Sequence, residues 1–146
     1  MPDKPFALIV EDTEANRTFF ERLIQQAGFQ VKGVNSGTAA LEAAENASSL
    51  ALAIIDMQMP DISGLELTMR LRRMHPQACL IVATMYDDIT LVSSAFLKGC
   101  NIYMVKPHGF MELFKRLTTL GSAGIVAEGP VIIDQYGPRP FKGIPG

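Results

Sequence analysis

The sequence Leu52-Ala53-Ile54-Ile55-Asp56-Met57-Gln58-Met59-Pro60 consists of a short apolar run, a carboxylate and, four residues later, a proline. Isoleucine-rich runs of this length are typical of a strand buried on both faces of a parallel sheet. A buried, unpaired carboxylate is costly, so Asp56 is expected where the strand emerges, at its carboxyl end. Ligands bind at that edge in open α/β sheets. A turn or helix-capping aspartate is the alternative, which these residues alone leave open.

The composition is that of a globular domain. The chain has 146 residues, and its 48% hydrophobic and 19% charged residues exclude a disordered class. A formal net charge of -2 argues against direct nucleic-acid binding. We find neither an apolar run of ~20 residues nor a signal-peptide pattern, so no membrane attachment and a cytoplasmic location are expected. Cys79 and Cys100 lack metal-ligand spacing and are expected to be reduced, buried thiols.

Apolar strands and amphipathic helices alternate along the chain. Predicted strands cover residues 6–10, 30–34, 52–56, 78–84 and 101–105. Predicted helices cover residues 13–27, 36–46 (or from 38), 65–74, 87–98 (or from 88) and 109–120. This alternation indicates an α/β fold, a doubly wound parallel sheet with helices on both faces. The boundary is expected near Gly121, which divides the chain into a domain of residues 4–120 and an extension of residues 121–146.

Polar side chains follow four of the predicted strands, namely Glu11, Asp12, Asp56, Thr84 and Lys106. Because the carboxyl ends of parallel strands lie at one edge of a sheet, these side chains are expected to converge. Mg2+ prefers oxygen ligands and relieves the repulsion among crowded carboxylates. A lysine and a hydroxyl beside them complete a cradle for a tetrahedral anion. The set predicts phosphoryl transfer onto a carboxylate nucleophile. The alternative, five independent caps and turns, requires a coincidence at four strand ends.

The chain closely resembles the receiver domain of bacterial two-component response regulators. The resemblance rests on Glu11-Asp12, Asp56, Met59-Pro60, Asp61-Ile62-Ser63-Gly64, Thr84, Tyr103 and Lys106-Pro107, and it covers residues 4–120. It implies a flavodoxin-like (βα)5 fold, like that of the chemotaxis regulators, with a five-stranded sheet in the order 2-1-3-4-5. It also implies a phosphorylation switch that acts by binding, and not an output enzyme.

The resemblance further assigns a metal site. It implies that Asp12, Asp56 and the backbone carbonyl of Gln58 bind Mg2+, and that Glu11 assists through water. Asp56 would be the phosphoacceptor, and the donor would be a histidine kinase or a phosphotransfer protein.

The resemblance also implies how phosphorylation is signalled. Lys106 and the Thr84 hydroxyl would bind the phosphoryl oxygens, and the Lys106-Pro107 bond would be cis. Thr84 would move toward the phosphoryl group and Tyr103 would rotate inward. A face built from helix four, strand five and helix five would then bind a downstream protein. Ile89, Leu91, Leu97 and Phe110 exceed the apolar residues that one buried stripe needs, so some of them are expected to be exposed at that face.

Met85, Tyr86 and Gln58 surround the expected phosphorylation site and bear on the alternatives. Met85 stands where the family usually has a small residue, so we expect its side chain to cover part of Asp56, and Tyr86 to screen the attacking water. A degenerate receiver, used as a scaffold without phosphorylation, is one alternative. A phosphatase of the haloacid dehalogenase type is another, but that family needs a second acid two residues after its nucleophile, where this chain has Gln58.

The extension contains a second apolar stretch, residues 130–142. Val131, Ile132 and Ile133 are consecutive and β-branched, which predicts a strand. Such a segment is expected to pack on the domain or to pair with another chain, because both bury its apolar side chains. The start of a truncated linker is the third alternative. Of these the favoured expectation is docking in a homodimer.

Overall fold

The computed structural model describes residues 4–142, which form one seven-stranded sheet in the order β2-β1-β3-β4-β5-β6-β7. The strands are β1 (Phe6–Val10), β2 (Gln30–Val34), β3 (Leu52–Asp56), β4 (Cys79–Thr84), β5 (Ile102–Val105), β6 (Val131–Asp134) and β7 (Gly137–Pro140). Strands β1 to β6 are parallel, and β7 is antiparallel to β6. The predicted five-stranded core and its order 2-1-3-4-5 are therefore confirmed.

Helices cover both faces of the sheet. They are α1 (Glu14–Gln26), α2 (Gly37–Asn46), α3 (Gly64–Met74), α4 (Ile89–Leu97) and α5 (Phe110–Glu128). Side chains of a strand point alternately to opposite faces. Accordingly Ile9 packs with the residues of α1 and α5, while Leu8 packs with those of α2 and α3. Strands β1, β3, β4 and β5 are thus buried on both sides, as their apolar sequences require, whereas β2 at the edge of the sheet is partly exposed.

The helix starts follow local capping chemistry. The side chains of Ser36, Ser63 and Asp88 accept hydrogen bonds from backbone amides of α2, α3 and α4, respectively. Thr13 occupies the corresponding position before α1, but its side chain makes no capping bond to that helix. The helix therefore begins where the sequence predicts, but without a side-chain cap.

Helix α5 is longer than the sequence pattern predicts. It continues past Leu120 to Glu128, with a break at Gly121, whose φ of 71° and ψ of 172° are not helical. Arg116 binds Glu112 on its own turn and Glu128 beyond the break. The glycine that suggested a boundary therefore marks a kink, because glycine adopts such a φ without steric cost.

The expectation that residues 131–133 dock in a homodimer is corrected by the structure. The segment pairs as β6 with β5 of the same chain, in the register Ile102↔Val131 to Met104↔Ile133. The unpaired backbone groups along β5 explain this choice, since the edge of a sheet accepts one more strand. The edge of β5, expected as part of a partner-binding face, is consequently occupied by the chain itself.

One arginine connects α3 to the loops that precede β4 and β5. Arg72 donates hydrogen bonds to the backbone carbonyls of Gly99, Pro76 and Ala78 and to the side chain of Asn101.

Within residues 4–142, no helix is both long and apolar enough to cross a membrane.

Candidate functional site

The polar side chains at the strand ends line one cleft. It has a volume of about 490 Å3 and is lined by Glu11, Asp12, Thr13, Asn16, Asp56, Gln58, Thr84, Met85, Tyr86 and Lys106. All five residues predicted to converge are among them. Parallel strands bring their carboxyl ends to the same edge, which is why residues up to 95 positions apart meet here.

Three carboxylates form an acidic cluster within the cleft. One oxygen each of Glu11, Asp12 and Asp56 can be chosen so that all lie within 4.8 Å of one another. Glu11 is 2% exposed, Asp56 half-buried and Asp12 exposed. Burial and the neighbouring charge of Asp56 raise the pKa of Glu11, and the charge of Lys106 opposes them. A divalent cation would relieve this repulsion, and oxygen donors suit Mg2+.

Lys106 supplies the positive charge of the cleft. Its ammonium lies 3.3 Å from a carboxylate oxygen of Glu11. Lys106 is followed by Pro107 through a cis peptide bond, as expected. Thr84 lines the same cleft, so the cleft contains a cationic and a hydroxyl donor beside the acidic cluster.

The loop after β3 is held tightly against its own strand. The Gln58 amide donates to a carboxylate oxygen of Asp56 at 3.2 Å, and the Gly64 amide donates to the Met57 carbonyl at 2.9 Å. A Cβ atom on Gly64 would lie 2.5 Å from the Asp56 carbonyl oxygen. Glycine is therefore required here because the backbone of α3 passes directly over the end of β3.

A second contact fixes the far end of the same loop. Asp61 accepts hydrogen bonds from the amides of Gly37 and Thr38, at 2.9 and 2.8 Å, and from the Thr38 hydroxyl. These bonds hold the pKa of Asp61 well below its usual range. A carboxylate at the amino end of α2 is stabilised by the free amides there. In the sequence Asp61 stands out only as part of a motif, and sequence reasoning missed this anchor.

A chain of hydrogen bonds runs from the cleft to the buried side of β5. The Tyr86 amide donates to the Thr84 hydroxyl at 3.3 Å, and the Tyr103 hydroxyl donates to the Tyr86 carbonyl at 2.7 Å. Tyr103 is fully buried, and burial raises its pKa. The inward position expected of Tyr103 after phosphorylation is thus the one that this structure has.

Tyr86 and Met85 border the cleft differently. The Gln58 side-chain amide donates to the Tyr86 hydroxyl at 2.6 Å, so these two residues form a bridge over the cleft. Met85 is 75% exposed and lies at the rim. The expectation that Met85 covers Asp56 is therefore corrected: its side chain borders the cleft without closing it.

An apolar pocket adjoins the cleft on the side of α1. It is lined by Asn16, Phe19, Phe20, Met85, Lys106, Pro107 and Phe110. Phe19, Phe20 and Phe110 pack edge to face, with ring centroids 5.0–5.6 Å apart. Phe19 and Phe20 fit the helical spacing of α1 in the sequence, and only the fold brings them to Phe110 and Lys106.

The chain belongs to the response regulator receiver family. The family model "Response regulator receiver domain" matches residues 7–118. Receiver domains are phosphorylation switches of two-component systems and bind Mg2+ through acidic residues, and this chain carries the corresponding acidic cluster. The matched span covers every residue of the cleft.

Individual relatives agree with the family match. The uncharacterized transcriptional regulatory protein YkoG of Bacillus subtilis is 32% identical over 115 residues, which cover 79% of this chain and 50% of that protein. The chain thus spans half the length of this relative. A CheY-like receiver domain protein from Methanospirillum hungatei JF-1 has the same fold, with a TM-score of 0.76, 23% identity, and coverage of 87% of this chain and 100% of that one.

A second solved structure concerns a phosphorylated relative. It is a response regulator protein from Burkholderia pseudomallei with a phosphorylated aspartic acid, a calcium ion and citrate. Its TM-score is 0.70 and its identity 23%, over 85% of this chain and 72% of that one. At 23% identity, the similarity to this structure shows a shared fold and nothing beyond it.

Proposed function

We propose that Asp56 accepts a phosphoryl group from a phosphohistidine of a histidine kinase or phosphotransfer protein. The observation that carries this proposal is the convergence of Glu11, Asp12 and Asp56 within 4.8 Å, with Lys106 at 3.3 Å from Glu11. Asp56 suits the role of nucleophile because it is half-buried and faces a cleft open to a donor.

The transfer is a displacement at phosphorus. An oxygen of Asp56 forms the new P–O bond while the P–N bond to the donor imidazole breaks, and the electron pair stays on that nitrogen, which takes a proton from solvent. Asp12, Asp56 and the Gln58 carbonyl would hold Mg2+, with Glu11 acting through water. When bound, the cation neutralises charge on the transferring oxygens. Lys106 and the Thr84 hydroxyl bind the remaining phosphoryl oxygens.

The signal leaves the site through Thr84. Its hydroxyl turns toward the phosphoryl group, and because Tyr86 and Tyr103 are hydrogen-bonded in series behind it, this turn stabilises Tyr103 in its inward position. The downstream protein binds at α4, where Ile89 and Leu97 are 53% and 86% exposed, because the edge of β5 is occupied by β6. Residues 4–120 act as the receiver and residues 121–146 as its extension, in the cytoplasm, where histidine kinases phosphorylate their targets.

Two other functions are disfavoured by particular residues. A scaffold without phosphorylation would have no need for the complete set of Asp12, Asp56 and Lys106. A phosphatase of the haloacid dehalogenase type would need an acid two residues after Asp56, and Gln58 there is an amide bonded to Tyr86.

Phosphorylation can be tested directly on the full chain. Incubation with acetyl phosphate and Mg2+ is expected to add one phosphoryl group, detected by intact mass, and EDTA or Asp56→Asn is expected to abolish it. Asp87→Asn, the same change at an exposed aspartate outside the acidic cluster, is the matched control and is expected to react normally. Undiminished labelling of Asp56→Asn would refute the assignment.

A further inference from the structure

Strand β6 lies directly against the strand that carries the switch tyrosine. Tyr103 is paired with Ile132 in the register of β5 and β6. Ile132 is 8% exposed and belongs to the same buried cluster as Tyr103, Val82 and Val92. The neighbouring strand thus supplies one wall of the space that Tyr103 occupies, next to α4 and β4.

The two faces of β6 have different neighbours. Val131 and Ile133 point to the opposite face from Ile132 and pack in the cluster shared with α5. Ile133 lies so close to Gly109 that a Cβ atom added to Gly109 would collide with the Ile133 side chain. One strand therefore contains two isoleucines of equal size, of which only Ile132 belongs to the cluster of Tyr103.

Strand β7 closes the sheet outside β6. The Phe141 amide donates to the Pro130 carbonyl, so by the alternation of an antiparallel ladder the nitrogens of residues 138 and 140 point away from β6. Both positions are proline, which offers no N–H to a further strand. The Phe141 ring also stacks on Phe96 of α4, with centroids 4.4 Å apart. The hairpin is thus fastened to α4 and ends the sheet.

Hydrogen bonds continue from Tyr103 to the acidic cleft. The Tyr103 hydroxyl binds the Tyr86 carbonyl, while the Tyr86 amide and hydroxyl bind Thr84 and Gln58, respectively. A side chain that restricts the position of Tyr103 therefore acts on residues at both sides of the phosphorylation site.

We propose that the hairpin of β6 and β7 positions the switch tyrosine: Ile132 packs against Tyr103 and favours its inward position without phosphorylation. The role of Tyr103 as a switch rests on the proposed function, whereas the packing of Ile132 does not. By thermodynamic linkage, a contact that stabilises the inward state also raises the affinity of any ligand at Asp56 that prefers that state. The extension is then part of the switch and not an appendage.

The test compares Ile132→Ala with Ile133→Ala in the full chain. The protein has three tyrosines and no tryptophan, so 13C-labelled tyrosine gives few ring signals, and Tyr103→Phe assigns the one of interest. Protection of that ring is measured with a soluble paramagnetic agent, with and without beryllofluoride and Mg2+. We expect Tyr103 to be protected in the wild type and in Ile133→Ala, and to become accessible in Ile132→Ala until beryllofluoride is added.

The same variants give a second measurement. We expect Ile132→Ala to weaken beryllofluoride binding by about five-fold or more, and Ile133→Ala to leave it near the wild-type value. Ile132→Val, a smaller truncation, covers the case in which Ile132→Ala fails to fold, and it should shift both measurements in the same direction.

The outcomes separate this inference from the proposed function. If Tyr103 stays protected in both Ile132 variants, or becomes equally accessible in Ile132→Ala and Ile133→Ala, the inference is overturned. Labelling of Asp56 by acetyl phosphate in the same samples tests the proposed function independently. Normal labelling together with an unmoved Tyr103 refutes only the positioning by Ile132.

Discussion

The side chains of Gln58 and Tyr86 are joined by a hydrogen bond of 2.6 Å above the acidic cleft. They follow β3 and β4, respectively, each two residues after a member of the site, Asp56 and Thr84. Both side chains line the cleft that contains Asp56, so we expect the ring and the amide to hinder water from reaching a phosphoryl group there.

This bridge predicts a slowly hydrolysed phosphoryl group. Tyr86→Ala removes the ring and its bond to Gln58, so water reaches the site more easily and the phosphorylated protein should lose its label several-fold faster. Met85→Ala is the matched control, because Met85 is three-quarters exposed at the rim, and it should change the rate little. The decay of the intact mass after removal of acetyl phosphate measures both. An unchanged decay in Tyr86→Ala would contradict the screening role.

The close approach of Gly64 to β3 predicts that any side chain at residue 64 disturbs the site. In Gly64→Ala the new methyl group would lie 2.5 Å from the Asp56 carbonyl oxygen and 2.6 Å from the Met57 Cα. Because both are backbone atoms, the strand end must shift, and we expect a stability loss of about 1–3 kcal/mol. Urea unfolding measures this loss, and weaker Mg2+ binding should accompany it. A variant as stable as the wild type would contradict the tight packing.

Arg72 is expected to contribute strongly to stability. Its guanidinium binds the carbonyls of Gly99, Pro76 and Ala78, and a truncated side chain leaves them without these donors. Arg72→Met should therefore lower the free energy of unfolding by about 2–4 kcal/mol. Arg73→Met, at the neighbouring exposed position, should cost less than about 0.5 kcal/mol. Equal effects of the two changes would contradict this role of Arg72.

The anchor of the β3–α3 loop predicts a dependence of stability on pH. The pKa of Asp61 is lowered by its bonds to Thr38 and Gly37, so the ionised form stabilises the folded state. This contribution is complete above the ordinary aspartate pKa of about 3.9 and is lost as the pH falls toward the lower folded value. The stability difference between wild type and Asp61→Asn should thus be largest at neutral pH and shrink below about pH 4.

A control separates the anchor from capping in general. Ser36→Ala removes the cap that Ser36 gives to α2, through a neutral hydroxyl. The loss of stability in Ser36→Ala should be the same over this pH range, because the Ser36 hydroxyl is uncharged throughout it. Urea unfolding between pH 7 and pH 3 measures all three proteins, and a constant difference for Asp61→Asn would refute the assignment to its carboxylate.

The five core strands and the members of the cleft follow from local patterns. Apolar runs such as residues 52–55 identify buried strands, and the carboxyl ends of parallel strands must share one edge, so the sequence alone places Asp56 and Lys106 together. Helix starts at Ser36 and Asp88 follow from hydroxyl and carboxylate groups near free amides. These features depend on neighbours in the sequence or on a rule of topology.

The course of the extension could not be predicted in the same way. Gly121 suggests an end to α5 because glycine favours non-helical backbone, yet the helix resumes beyond it, and Arg116 binds Glu128 across the break. Residues 131–133 indicate a strand, but a strand pattern does not identify its partner. The open edge of β5 decided that choice within the chain.

The sequence by itself determined the class of fold, the five polar residues that converge in the cleft and the presence of a strand near residue 132, since each is encoded by residue type at short range. Only the tertiary structure decided that β6 pairs with β5 and that Ile132 packs against Tyr103. It also decided that Asp61 anchors a loop to α2 and that Tyr86 meets Gln58. These contacts join residues 23–29 positions apart, and which distant groups meet depends on how the whole sheet closes its edges and buries its apolar faces.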